Sequence, residues 1–280
     1  MNLVQYLKKY PFSFFLRMLV YVSAAITVTV LVFLIGYILY KGVPNLTLPG
    51  IFDWKFTSQN MSMTPAIINT VLMTVLSLLM AVPIGVFAAI YLVEYSKKGN
   101  KLVKLIRVTA ETLSGIPSIV YGLFGFIVFV ITLGWSYTLL SGAITLSIMI
   151  LPLIIRTTEE ALMAVPDSFR EGSFGLGAGR LRTVFHIIVP SAMPGILSGV
   201  ILAIGRIVGE SAALIFTAGT NPVVPDSVFS SVSTLSVHMY ALMTEGLYVD
   251  QAYAVAVVLL VVVILINALS AALARKLTKK

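Results

Sequence analysis

The chain has 280 residues, of which 59% are hydrophobic and only 11% charged, with a mean hydropathy of +1.01. A soluble domain of that composition would expose apolar patches far beyond what water tolerates, so the sequence reads as an integral membrane protein. The formal net charge of +8 gathers at the ends of apolar runs, which excludes a nucleic-acid partner, and the lack of cysteine excludes a disulfide framework and a thiolate metal site.

A helical span needs about 20 apolar residues. After an N-terminal segment, 1–17, the run 18–40 is free of charge and forms the first span, followed by an external loop to residue 63. Residues 64–93 form the second. Glu111 and Arg156 bracket an uncharged stretch too long for one crossing, so 112–155 holds two spans with a turn at 134–137. A fifth span at 189–218 carries Arg206 and Glu210, and a sixth at 251–274 precedes a basic tail, 275–280. These runs are continuously apolar and lack the period-two alternation of a β-barrel, so the fold class is an all-α bundle of six transmembrane helices. Pro83, Gly85, Gly115, Pro117 and Pro152 are candidate bend points, although such residues also serve as packing positions in membrane helices.

Positive charge is retained on the cytoplasmic side. Lys8, Lys9 and Arg17 precede the first span. Lys97, Lys98, Lys101, Lys104 and Arg107 lie between the second and third, and Arg156, Arg170, Arg180 and Arg182 between the fourth and fifth. Arg275, Lys276, Lys279 and Lys280 follow the sixth. These are sixteen of the nineteen cations, against Lys41 and Lys55 on the opposite side. Both termini are therefore expected in the cytoplasm, and the first apolar run is too long for a cleaved signal peptide. The external loop 219–250 carries no Lys or Arg and reads as turns followed by a short helix. It is either a docking surface or an ordinary solvated loop.

The loop 156–190 is polar and basic. Pro166, Asp167 and Ser168 supply a breaker and a cap for a short helix with Glu171 in its first turn, and Gly175, Gly177 and Gly179 end it. Bearing Phe169 and Phe174, this helix is either a knob that a soluble partner grips or an interfacial helix with its aromatics among headgroups. The order Glu171, Gly172, Ser173, three residues, Gly177, nine residues, Ile187, Ile188, Val189, Pro190 favours the first. It resembles the cytoplasmic loop of bacterial ABC-importer permeases, with Gly172 and Ser173 in place of two alanines and Val189 in place of leucine. The resemblance implies a type I ABC-importer permease fold, a core at 64–274, and a coupling helix seated in a groove of an ATPase subunit, with Glu171, Gly172, Ser173, Gly177, Ile187 and Pro190 as its site residues.

An ionised residue inside a span is expensive, by roughly 3 kcal/mol even on the lenient insertion scale. Four positions apart on a helix, Arg206 and Glu210 share a face and can pair while pointing into the bundle. A guanidinium suits the oxygens of phosphate, sulfate or carboxylate, so the pair is either an anion pathway or a structural ion pair. The run from Gly205 and Arg206 through Gly209, Glu210, Ser211 and Ala212 to Phe216, Thr217 and Ala218 is similar to the matching helix of phosphate-transport (PstA-type) permeases, except that Ala213 stands where proline is common. Arg, two residues, Gly, Glu is shared with sulfate and molybdate permeases, so the ending after Glu210 is what leans toward phosphate. The resemblance implies a bacterial inner-membrane importer. This chain pairs there with a second, PstC-like permease, two copies of an ATP-binding subunit and an extracytoplasmic phosphate-binding protein.

Nothing in the chain resembles a phosphate loop for ATP, and Lys97-Lys98-Gly99 is no substitute. His186 and His238 fall on opposite sides of the membrane and read as loop or interfacial residues. No catalytic residue, metal ligand or bound cofactor is expected. ATP is used by the partner ATPase, and the chain is not itself an enzyme. The alternatives are a permease for another oxyanion or, with less support, an ATP-independent anion transporter. A membrane enzyme ranks last.

Overall fold

The computed structural model describes residues 11–47, 51–56, 62–97, 99–246 and 248–278. Lys8, Lys9, Lys98, Lys279 and Lys280, which enter the charge count above, lie outside them, as does most of the segment 1–17. Regular structure among the described residues is helical throughout.

α1 (Pro11–Gly42) is bare along its apolar length, and toward its end the Tyr37 ring packs edge-on with Tyr253 and Gly42 meets the Tyr253 backbone. α2 (Thr64–Tyr95) starts with Pro65, whose missing N–H falls among the unpaired donors of a first turn, and closes in a π-helical turn at Tyr91–Tyr95. Pro83 sits inside it without a break. α3 (Lys101–Ser114) is capped by Asn100, which accepts from Leu102 N at 2.9 Å. Gly115, Ile116 and Pro117 then turn the chain by 102° into α4 (Ser118–Thr132), because proline disfavours helical backbone in the residue before it. Of the candidate bend points, this pair bends the chain, while Pro83 and Pro152 stay within continuous helices.

α5 (Leu139–Met163) is capped by Thr138, and its first amides are met by the carbonyls of Val228 and Ser230. α6 (Asp167–Gly175) is the short helix of the polar loop, with Glu171 past its first turn. α7 (Arg180–Val208) is continuous across a π-helical stretch, Val184–Ile188, just before Pro190 and Pro194. The wider turn absorbs the missing proline donor. The fifth span therefore begins nine residues before the expected 189, and Ile187 and Pro190 lie inside a helix instead of a loop. α8 (Ala212–Thr217), α9 (Leu235–Glu245) and α10 (Val249–Thr278) complete the chain. α1, α2, α5, α7 and α10 are long and apolar enough to cross a membrane, and the bent pair α3 and α4 supplies the sixth candidate.

α2 packs along α5, and α5 along α7, at close range. Gly85 faces Ile154, Gly195 faces Ala161 and Gly199 faces Thr157 with no room for a Cβ. Small residues at crossing points let membrane helices approach closely where no hydrophobic force drives them together. Met73, Leu146, Ile150 and Leu214 centre the main core, and Leu162, Val184 and Ile188 form a second cluster at the α6 end. The loop 219–234 is tied to the bundle: Asn69 Nδ2 donates to Val223 O at 2.8 Å and Ser233 O at 3.1 Å, and Leu235 N donates to Thr70 Oγ1 at 2.8 Å. His238 is not a loop residue. It is buried in α9 with its ring edge on to Phe56.

Candidate functional site

The polar loop folds onto the end of α2. Arg170 of α6 reaches Glu94 with Nη2 to Oε1 at 2.7 Å and Nε to Oε1 at 3.2 Å, and donates further to the carbonyls of Leu162 and Val165. The π-helical last turn of α2 carries Glu94 and Tyr95, and the Arg180 guanidinium lies over the Tyr95 ring at 5.2 Å. Hydrogen bonding to the Glu94 carboxylate, and its charge, hold the Arg170 guanidinium above its ordinary range despite partial burial. Two cations of the loop are thus spent on fastening α6 and α7 to α2. Arg107 and Arg156 pair at the same end of the bundle, with Glu159 and Glu160, each at 3.0 Å.

The matched loop residues take distinct roles on this frame. Ser173 is buried and shares a 2.8 Å hydrogen bond with Thr183, joining α6 to α7. Gly177 has φ +83°. Gly177 N donates to Phe174 O and Ala178 N to Ser173 O, the pair of bonds that closes a helix through a left-handed residue. Ile187 is half-buried, while Glu171, Gly172 and Pro190 are exposed. Phe169, Phe174 and Leu176 project to the outside around them. The structure therefore gathers Glu171, Gly172, Ser173 and Gly177 into one short helix and its cap, with Ile187 and Pro190 further along the helix that follows.

Arg206 and Glu210 are not brought together. α7 ends at Val208, so Glu210 lies in a break beyond the helix that carries Arg206. Its buried carboxylate accepts from Ala213 N at 3.1 Å and caps α8, while its backbone oxygen accepts from the Ser236 hydroxyl. The expected pairing assumed one continuous helix through Gly209. Arg206 is half-buried in the last turn of α7, within electrostatic reach of the Tyr121 hydroxyl, which itself donates to Leu113 O at 2.8 Å. Among the described residues no carboxylate forms an ion pair with Arg206.

Sequence reasoning missed Glu94, Tyr95 and Thr183. A carboxylate closing the second apolar run, opposite a loop rich in arginine, was the available signal.

Residues 81–280 match the family described as "Binding-protein-dependent transport system inner membrane component". The chain belongs to that family: it is a multi-pass inner-membrane permease subunit of an ABC importer. It is 36% identical over 247 residues to "Probable ABC transporter permease protein YqgI" of Bacillus subtilis, covering 81% of this chain and 82% of that protein. It is 35% identical over 213 residues to "Phosphate transport system permease protein PstA 1" of Mycobacterium tuberculosis, covering 75% and 69%. The fold is that of solved importers. A bacterial alginate ABC transporter superposes with TM-score 0.65 at 20% identity over 100% of this chain and 99% of that one. The MetNI methionine transporter in an inward-facing form gives 0.61 at 21% identity over 77% and 94%.

Proposed function

We propose that this chain is the permease subunit of an ATP-driven importer of inorganic phosphate, forming half of the translocation pathway. The observation that carries the reading is Arg206, a half-buried cation in the bundle with no carboxylate neutralising it among the described residues. Charged groups inside membrane bundles face the interior or a wet cavity and mark the path of a charged substrate. A planar guanidinium meets a tetrahedral oxyanion with paired donors. Relatives named as phosphate permeases, at 31% to 38% identity, favour phosphate over sulfate, which Arg206 would hold by the same chemistry.

In this reading the exposed face of α6, with Glu171, Phe169 and Phe174, seats in an ATPase subunit, and that partner binds and hydrolyses ATP. Gly172, Ser173, Gly177, Ile187 and Pro190 shape and anchor the knob. Glu210 contributes to the pathway through the helix break it stabilises. A second, PstC-like permease supplies the other half, two ATPase copies power the cycle, and a phosphate-binding protein delivers substrate at the far end. The charge count assigns the α6 end and both termini to the cytoplasm.

The test is uptake of radiolabelled phosphate and sulfate in cells deleted for this chain and complemented with it. Restored phosphate uptake alone is the expected result. Rescue of sulfate uptake instead moves the substrate to another oxyanion.

A further inference from the structure

A cavity of about 450 Å³ at the α6 end lies between the last turn of α2, the first turns of α3 and the end of α5, and the proposed transport cycle makes no use of it. Lys97, Asn100, Lys104 and Arg107 line its rim, and Leu92 and Val103 its apolar wall. Arg107 is neutralised by Glu159 at 3.0 Å. Among the described residues no carboxylate forms an ion pair with Lys97 or Lys104.

α3 gives the setting of this cavity. At 14 residues it is about 21 Å long, too short to cross the hydrocarbon core by itself, and its axis turns 102° away from that of α4. Val103, Ile106 and Ala110 turn toward the bundle. Leu102 and Leu105 are 57% and 61% exposed on one flank, with Lys104 and Arg107 on the other. Exposed leucines on one side and long cationic side chains on the other are the pattern of a helix lying in the headgroup layer. Two uncompensated ammonium groups above an apolar wall match an anion joined to hydrocarbon.

We propose that the cavity between α2, α3 and α5 binds the headgroup of an anionic phospholipid, with Lys97 and Lys104 on its phosphate and α3 anchored in the membrane plane through Leu102 and Leu105. The site is independent of the substrate reading, since it shares no residue with Arg206 or with α6.

Native mass spectrometry of the full-length chain, equilibrated with phosphatidylglycerol or phosphatidylcholine in neutral detergent, tests the proposal. Wild type should retain phosphatidylglycerol about thirtyfold more than phosphatidylcholine, as expected for two cations at an anionic headgroup. The double variant K97Q/K104Q should lose that preference and K41Q should keep it. Equal retention of the two lipids by wild type overturns the proposal without reliance on any variant, and so does a preference that survives K97Q/K104Q. Displacement of the lipid by millimolar inorganic phosphate would instead assign a site for a free anion. As the chain lacks cysteine, a nitroxide on L105C reports the surroundings of α3 directly. Immersion in acyl chains supports the anchor, whereas burial against a protein partner overturns it.

Discussion

Arg170 Nη2 lies 2.7 Å from Glu94 Oε1, a contact that spans 76 positions of sequence and locks the short helix α6 to the end of α2. Both side chains are largely withdrawn from solvent, at 16% and 8% exposure. Removing Arg170 strands the buried Glu94 carboxylate, which costs about 3 kcal/mol, whereas Arg170 keeps Asp167 at 3.1 Å and two carbonyls when Glu94 is removed.

R170Q should therefore lower the stability of the α6 end by roughly that amount and E94Q by less, because Arg170 still has Asp167. The exchanged pair E94R/R170E should recover part of the loss. Limited proteolysis across 163–180 reads the loosening directly. The folded state raises the pKa of Arg170, so its contribution is complete below the ordinary arginine range and lost only above it. Proteolytic protection should accordingly stay flat from neutral pH to about pH 9, far below the ordinary arginine range.

Gly177 and Gly172 should respond in opposite ways to alanine. Neither has a neighbour within 4 Å of an added Cβ, yet Gly177 holds φ +83°. Strain at a left-handed residue costs about 1 to 2 kcal/mol, so G177A should destabilise and G177N less so. G172A, inside α6, should be neutral or stabilise by up to about 1 kcal/mol. Thermal unfolding of the purified chain separates the two.

G199A should damage the bundle from within, because its Cβ would overlap Thr157 on α5. Overpacking of this kind costs about 1 to 3 kcal/mol. G175A, where nothing lies within 4 Å, is the matched control. Retention of a monodisperse peak in detergent after mild heating is the readout.

R206Q should abolish oxyanion uptake while the protein still reaches the membrane and assembles, and R206K should leave only a fraction of it, since an ammonium lacks the paired donors of a guanidinium. Loss of assembly in R206Q would assign Arg206 to helix packing instead.

The spans and the turn near 134–137 were legible because hydrocarbon imposes one long apolar run per crossing, and the structure breaks the chain at Leu133–Thr138 accordingly. Two features were not legible. α7 runs back to Arg180 because a π-helical turn tolerates Pro190 and Pro194, and local propensity does not announce that turn. The ion pair expected between Arg206 and Glu210 fails for a similar reason. Spacing of four residues means one face only if the helix continues, and here Gly209 closes α7 while Glu210 turns to the amide of Ala213.

The unbroken course of α7 has a mechanical consequence. Its 29 residues make a rod about 43 Å long, with Arg180 stacked on Tyr95 at one end and Arg206 at the other. A tilt of about 5° around the middle of such a rod swings each tip by about 2 Å in opposite directions, given its length. Displacement of that size is most of a hydrogen-bond length. A push on the Arg180 tip would reach Arg206 as geometry, with no relay of side chains, to the extent that α7 stays stiff across its π-helical turn and Pro194.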